Sequence, residues 1–386
     1  IGGVIAALLI LTAFLFLRLH LIQVSRWSHG FQGAFSVGHE SPKAPQKVPP
    51  KISLVLPVRN EAVTLPHLLA DLAMGADTPD EVIIVDDAST DGTTQVISTI
   101  QNLPFSVRTM ANPGTGKKPG LSAGIKAAIH PWVIQVDADV RVGPEFIRSV
   151  RQHIQNRGSE TDMLLLPLRL AYSAKKAPST VFESLQALDF AAMQGWAVAA
   201  ARRGRPAMAS GGAWVWRASA FPHDQLRQEL ASGDDVFSLA ALIKRGDGHR
   251  VGWCGQLDSM ASAAPMPNVW SLLDQRIRWG AKAKAYPKAL SEARRVSIII
   301  AGVHLFGTIM WVLQPLFGLA FWTTKAVIDM AYTHQVGRAY GIFDGRAVGR
   351  RWGTLVILAA LHPPFIITTL LLMPFRKAPW KGRTAA

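Results

Sequence analysis

The chain has 386 residues, room for one large domain or two smaller ones with appendages. Its 41 Lys and Arg against 26 Asp and Glu leave a net charge of +15, which suits a negatively charged partner: nucleic acid, an anionic membrane surface or a phosphorylated substrate. Cys254 is the only cysteine, so an intrachain disulfide and a cysteine-based metal cage are both excluded, in keeping with a reducing compartment.

In chain order, Ile1–Leu17 is the first of three long stretches without a charged residue; Val296–Thr324 and Gly353–Phe375 are the others. A spanning helix needs roughly 20 apolar residues to cross a hydrocarbon core about 30 Å thick. The second and third stretches meet this directly, and the first does so if Arg18 and His20 sit at the interface. The first stretch has no positive leading region and no small-x-small cleavage site, so residues 1–24 are expected to be an uncleaved anchor, in a chain that opens on Ile1. Residues 25–51 set Arg26, Lys43, Lys47 and Lys51 among Pro42, Pro45, Pro49 and Pro50. That composition predicts an irregular basic tether on the cytoplasmic side of an inner or plasma membrane, although an ordinary solvated linker has the same make-up.

Residues 52–295 read as a soluble α/β domain. Short apolar runs at Ile52–Val58 and Glu81–Asp87 end in polar residues. Between them Leu65, Leu68, Leu69 and Leu72 have helical spacing, with Thr64 placed to cap the helix and Gly75 to end it. "VRTM" and "WVIQVDAD" predict two further strands, with "LSAGIKAAI" as the helix between them. Strands alternating with helices imply a mostly parallel sheet with right-handed crossovers, and such sheets bind ligands beyond the carboxyl ends of their strands. Asp86-Asp87 and Asp137/Asp139 both fall at that edge. Residues 296–386 return to membrane or interfacial character.

Five segments carry candidate chemistry. Asp137 and Asp139, two residues apart at a strand end, can offer oxygens to a hard cation such as Mg²⁺ that shares its shell with substrate phosphates; a simple turn cap has the same pattern. Asp86, Asp87 and Asp91 surround a loop opening a helix, suited to a base and ribose hydroxyls or to ordinary capping. "NPGTGKKPGLSAG" is a Gly-rich turn that places Lys117 or Lys118 near a phosphate, without Walker A spacing. Asp234-Asp235 open a predicted helix, where the dipole favours their ionised form and a general base can stand. Gln275, Arg278 and Trp279 fall within one helical turn, where they can hold a diphosphate and a ring, or where a basic helix meets lipid headgroups.

Together "LPVRNEAVTLPHLL", "VDDASTDGT", "DAD", "GDD" and "QRIRW" resemble, in order and approximate spacing, the family 2 glycosyltransferases, over about Ile52 to Tyr286. The resemblance implies a GT-A fold, a nucleotide-sugar donor and Mg²⁺ or Mn²⁺. It assigns Pro57, Glu61, Asp86, Asp87, Lys118 and Asp137 to the donor pocket, with Gln275, Arg278 and Trp279 at the diphosphate and acceptor end. It assigns Asp137 and Asp139 to the metal, Asp139 as the direct ligand, and makes Asp235 the base of an inverting, hexosyl-transferring reaction. Gly211, Gly212, Trp214 and Asp234 fall on the acceptor side, with Trp214 or Trp216 stacking on a sugar. Two departures stand out: Asp234 occupies a usual Glu position, and Arg59 replaces a common Tyr in the nucleotide pocket.

The expected function is transfer from a nucleotide sugar, UDP-linked by the family pattern, to a lipid or lipid-linked acceptor. A processive polysaccharide synthase fits less well, because three clear spans, or four with Leu316–Tyr332, are few for a pore. A catalytically silent membrane protein that binds nucleotide sugars explains the charge and spans but not Asp235 together with Gln275–Trp279. A sugar nucleotidyltransferase would need a Gly-rich loop after the first strand. No groove-reading nucleic-acid motif is present.

Overall fold

The computed structural model describes residues 2–35, 48–99, 101–172, 178–228, 230, 233–376, 379–380 and 383–384. The chain opens with helix α1 (Gly2–Phe31), which continues seven residues past the expected end of the anchor at residue 24. The segment Ser25–Phe31 contains no proline or glycine before Gly30, so nothing in it breaks the helix. Lys43, Lys47, Pro42 and Pro45 of the expected tether lie outside the described residues.

The chain divides into two compact units: residues 33–176, 201–265 and 378–386 form an α/β unit, and residues 1–32, 177–200 and 266–377 a helical one. The soluble region expected over 52–295 is therefore divided, with 177–200 and 266–295 grouped with the long helices.

In the α/β unit the order is β1 (Ile52–Val58), α2 (Leu65–Ala73), β2 (Glu81–Asp86), α3 (Thr93–Thr99), β3 (Ser106–Ala111), α4 (Lys117–Ala127), β4 (Trp132–Val136), β5 (Val140–Val142), α5 (Phe146–Arg157), β6 (Met163–Leu165) and β7 (Leu168–Leu170). After α6 (Val181–Ala201) come β8 (Ala213–Arg217), α7 (Asp234–Lys244), β9 (Val251–Trp253) and β10 (Ala261–Ala263). Seven strands form one sheet in the order β3-β2-β1-β4-β8-β6-β9. β1 pairs in parallel with β2 and β4, Val58 opposite Asp86 and Val55 opposite Gln135. β8 alone runs against the others in this sheet, through antiparallel pairing with β4 and β6. The continuous apolar runs of β1, β2 and β4 are buried, as strands covered on both faces must be, whereas the edge strand β3 carries exposed Ser106 and Thr109. A second sheet, β5-β10-β7, was not foreseen; its three-residue strands are too short to show a period.

α2 buries Leu65, Leu68, Leu69 and Leu72, each contributing about 1.5–3 kcal/mol relative to exposure. Thr64 does not cap it as expected; its hydroxyl donates instead to Glu61 Oε2. α4 lies so close to β1 that a Cβ on Gly124 would come within 2.5 Å of Val55, so only glycine permits that approach.

In the helical unit follow α8 (Val269–Ala281), α9 (Ser291–Leu313), α10 (Pro315–Ala339) and α11 (Val348–Leu372). The charge-free stretch Val296–Thr324 is not one span: Pro315, which has no N–H to donate, starts a new helix after Gln314. Among the described residues, three helical segments, Ala6–Phe31, Lys288–Leu313 and Val348–Leu372, are long and apolar enough to cross a membrane. α10 carries Lys325 and Asp329, and these neutralise each other: Lys325 Nζ lies 2.5 Å from Asp329 Oδ2, and His20 Nε2 of α1 lies 2.7 Å from Asp329 Oδ1.

Candidate active site

The carboxyl ends of β1, β2, β3 and β4 lie along one edge of the sheet, and β8, running the other way, starts there, with Ala213 opposite Val136. This is also where the strand order turns about β1, so loops diverge on either side and leave room between them. The acidic segments after β2 and β4 and the glycine-rich segment after β3 leave the sheet at this edge.

Lys117, at the start of α4, is the centre of the polar contacts. Its Nζ lies 2.7 Å from Asp137 Oδ1 and 3.0 Å from Asp234 Oδ2, and it donates to the Gly211 carbonyl at 2.9 Å. Burial alone would lower its pKa; the carboxylates of Asp137 and Asp234 outweigh that and hold it above the ordinary lysine value. Asp137 Oδ1 also accepts from Gln135 Nε2 at 3.1 Å. Asp139 is exposed in the turn closed by the Val140 N–H to Asp137 carbonyl bond of 3.0 Å.

Asp235 stands beside Asp234 in the first turn of α7, following Gly233 in a left-handed conformation at φ 94°. Its Oδ1 accepts the Val236 N–H at 2.8 Å. A Cβ placed on Gly211 would lie 3.2 Å from Asp235 Oδ2, so the glycine lets the carboxylate approach the strand entrance. Ser232 of the same motif lies outside the described residues.

The loops after β1 and β2 are tied together. Arg59, in place of the family's usual Tyr, donates through Nη1 to the Asp87 carbonyl at 2.6 Å and the Ala88 carbonyl at 3.0 Å. Asp87 Oδ1 accepts from Asn112 Nδ2 at 2.8 Å and Gly116 N–H at 3.0 Å, while Asp86 accepts from the Ser89 hydroxyl at 2.5 Å. Asp91 holds Thr93 and the Ala62 N–H, and Glu61 N–H bonds Thr93 Oγ1 at 2.8 Å. Pro57 precedes this cluster, half-buried at the end of β1 and opposite Val85.

Three expectations change. Lys118, chosen for the donor pocket, points elsewhere: it is 2% exposed, donates to the Arg227 carbonyl at 2.8 Å and lies 4.8 Å from the Phe237 ring centroid. Lys117 takes the place beside the carboxylates, and helix periodicity is the reason, since adjacent residues differ by about 100° around the axis. Trp214 and Trp216 cannot stack on a sugar. Both are fully buried on β8, on one face of the sheet because they are two residues apart, and both pack on Phe221 at ring distances of 5.9 and 5.4 Å. Gly212 is a packing position, where a Cβ would come within 2.7 Å of Leu168.

Gln275, Arg278 and Trp279 lie on α8, in the helical unit. Arg276, which sequence reasoning passed over, organises them: it donates to Gln275 Oε1 at 2.8 Å, lies 4.5 Å above the Trp279 ring, and donates to Asp189 of α6 at 2.6 Å. The signal was its place between the motif residues, one position from Gln275 and three from Trp279. Burial lowers the pKa of Arg278, with Asp274 partly offsetting the shift.

Asp137 and Asp139 supply hard oxygens suited to Mg²⁺ or Mn²⁺, and among the described residues no group of three or more His, Cys, Asp or Glu is placed to hold one. The pair therefore fits an ion only when a ligand's phosphate oxygens complete the shell.

Comparison with known proteins adds three findings. Residues 53–163 match the profile described as Glycosyl transferase family 2. An undecaprenyl-phosphate 4-deoxy-4-formamido-L-arabinose transferase of Aeromonas hydrophila is 36% identical over 101 residues, and its Yersinia enterocolitica counterpart 31% over 102. Each match covers 25% of this chain but only 31% of the relative's length. A mannosyltransferase from Pyrobaculum calidifontis, solved with GDP-Man and Mn²⁺, superposes at a TM-score of 0.55 with 17% identity, covering 97% of this chain and 99% of that one. That likeness establishes the fold, a GT-A arrangement flanked by long apolar helices.

Proposed function

We propose, from the match of residues 53–163 to the Glycosyl transferase family 2 profile, that the chain moves a sugar from a nucleotide sugar to a lipid phosphate at a membrane. The observation that carries this reading is the meeting of Asp137 and Asp234 on Lys117 at the carboxyl edge of the sheet, with Asp139 and Asp235 next to them in sequence. Such an edge combines a place for a diphosphate with a carboxylate beside the sugar. The lipid acceptor is supported by the three long apolar helices and by the names of the matched relatives.

In this reading Asp87 and the loops clamped by Arg59 hold the nucleoside, and Asp137 and Asp139 would hold the divalent ion. When bound, that ion supplies positive charge to the leaving diphosphate. Lys117 holds Asp137 and Asp234 in position. An accepting oxygen attacks the anomeric carbon from the face opposite the diphosphate; the new C–O bond forms as the old one breaks, and the nucleoside diphosphate leaves with the electron pair. The anomeric configuration inverts. In this reading the active domain faces the cytoplasm, where nucleotide sugars are available.

A second reading is favoured by Asp235 itself, whose Oδ2 faces Gly211. A hydroxyl acceptor must lose a proton as it attacks, and in this second reading Asp235 takes it. A phosphate oxygen is already ionised at neutral pH and needs no base. Asp235→Asn separates the two: a fall in transfer of about 10²–10⁴-fold indicates a hydroxyl nucleophile, and a change within a few-fold a phosphate.

The test of the function as a whole is release of nucleotide from a panel of UDP- and GDP-sugars by the detergent-purified chain, with Mg²⁺, with Mn²⁺ and with EDTA. The expected result is turnover of one donor, stimulated by undecaprenyl phosphate and lost on chelation and in Asp139→Ala. If the panel shows neither binding by calorimetry nor turnover with lipid phosphate present, the transferase reading fails and a silent membrane protein is left.

A further inference from the structure

α10 ends and α11 begins at a basic connection. Arg338 lies in the last turn of α10, Arg346 between the helices, and Arg350 and Arg351 in the first turn of α11, directly before Trp352 and the charge-free stretch. Their hydrogen bonds go to neutral oxygens: Arg346 Nη2 donates to the Pro178 carbonyl, and Arg351 Nε to the Arg346 carbonyl at 2.9 Å. Among the described residues none of the four is ion-paired with a carboxylate. Two acids stand by them. Glu183 acts on Arg346, but its Oε2 is already held by the N–H groups of Ser179 and Thr180 at 2.7 and 3.3 Å, and Asp344 is exposed two residues before Arg346. Set against four arginines, these carboxylates leave two positive charges. The excess is felt at Arg346, where burial and then the like charge of Arg350 lower the pKa below the ordinary arginine value, against Glu183. The connection is apolar on its other side. Trp352 is 46% exposed and stacks on His334 of α10 at 5.0 Å, and Val348, one turn earlier on the same face, is 65% exposed.

We propose that this connection binds the phosphate of an anionic phospholipid, with Arg346 and Arg350 as its partners and Trp352 and Val348 against the upper acyl chain. Guanidinium groups hold phosphate through paired N–H donors, and their stems can lie along hydrocarbon while the charged heads stay at the interface. An exposed indole where an apolar helix meets its polar connection sits at headgroup level. The positive excess decides between headgroups. A zwitterionic lipid brings an ammonium group beside its phosphate, which the arginines repel; an anionic one brings the phosphate alone. Free phosphate has the same oxygens but no tail for Trp352 and Val348. The site goes beyond sugar transfer and does not depend on it.

The test is native mass spectrometry of the full chain in a neutral detergent, titrated with phosphatidylglycerol or with phosphatidylcholine of the same acyl chains. The expected result is retention of phosphatidylglycerol at least about tenfold stronger. Arg350→Gln removes an exposed group and should cut that preference roughly fivefold, and Arg346→Gln with Arg350→Gln should cut it by more than about tenfold. Lys244→Gln with Arg245→Gln takes the same charge from exposed positions at the end of α7 and should leave the preference unchanged. An unchanged unfolding temperature shows that each variant is folded; if the pair at 346 and 350 unfolds, Arg350→Gln alone carries the test. Equal retention of the two lipids, full preference in Arg350→Gln, or an equal loss in the Lys244 and Arg245 pair would each overturn the proposal. Displacement of phosphatidylglycerol by inorganic phosphate at the same concentration would overturn it too, by assigning the site to a free anion.

Discussion

Lys117 is nearly closed to solvent and lies between two carboxylates, one of them, Asp234, only 5% exposed. Because its pKa is raised above the ordinary lysine value of about 10.4, the stability it contributes is complete below that pH and is lost only as pH rises through the higher folded value. At working pH the ion pairs are therefore intact. Lys117→Met should cost about 3–5 kcal/mol in thermal or denaturant unfolding, because it leaves a buried carboxylate without its cation. Adding Asp234→Asn should recover much of that stability. If Lys117 also serves the donor, nucleotide-sugar affinity measured by calorimetry stays weak in the double variant; recovery of both would make the lysine structural only.

At the scale of elements, Asp162 joins three strands at the sheet's far edge from the carboxylate cluster. Arg250 donates to it through Nε at 2.6 Å and Nη2 at 2.9 Å, and Arg217 through Nε at 3.1 Å, so the start of β6 is tied to the end of β8 and the start of β9. The hydrogen bonds from Arg250 lower its pKa most, against burial, and Arg217 adds to them. A carboxyl with a depressed folded pKa stabilises fully above its unfolded value of about 4 and ceases to do so as pH falls through the folded value. Asp162→Asn should thus lower the unfolding free energy of the full chain in detergent at pH 7 by about 1–3 kcal/mol, with the gap to the unaltered chain closing below about pH 4. A gap independent of pH would assign the loss to packing. How far these elements were legible follows from their period. The runs at Ile52–Val58, Glu81–Asp86 and Trp132–Val136 are mostly apolar and give way to polar residues, so strand and edge could be read together. The three-residue strands β5, β7 and β10 offer no period, and α6, rich in alanine, has neither an amphipathic stripe nor a motif to mark it. The site was legible where carboxylates end strands and helices. It was not legible where facing decides: adjacency could not separate Lys117 from Lys118, nor show that the period of two turns Trp214 and Trp216 into the core.

For the molecule as a membrane protein, the open matter is which helices of the helical unit cross. α10 carries Lys325 and Asp329, but these charges are paired with each other and with His20, which removes most of the cost of burying them. It also turns back along α9: a Cβ on Gly318 would touch Trp311, and one on Gly307 would touch Phe321. With 25 residues, about 37 Å at 1.5 Å each, it is long enough to return across the core. α11 has the better composition but the less suitable anchoring. Near its start Trp352 stacks on His334, close to the end of α10, at 5.0 Å; just past its end Arg376 pairs with Asp274 of α8 at 2.6 Å, and α8 in turn holds α6 through Arg276 and Asp189. α6 is tied to the same stretch of α10, where Tyr332 donates to the Ala192 carbonyl at 3.0 Å. Both ends of α11 therefore belong to one end of the helical unit, and Pro363 and Pro364 give it a place to bend between them. We predict that α1, α9 and α10 cross while α11 enters and stays on the near side, which would also gather Arg26, Arg294, Arg338, Arg350 and Arg376 on one face, as the positive-inside tendency requires. In a Cys254→Ser background, single cysteines at Asp344 and Phe375 should react with an impermeant maleimide from the same side of sealed vesicles, and one at Gln314 from the opposite side. Labelling of Phe375→Cys from the side of Gln314→Cys would make α11 a full crossing and return the basic tail to the far face.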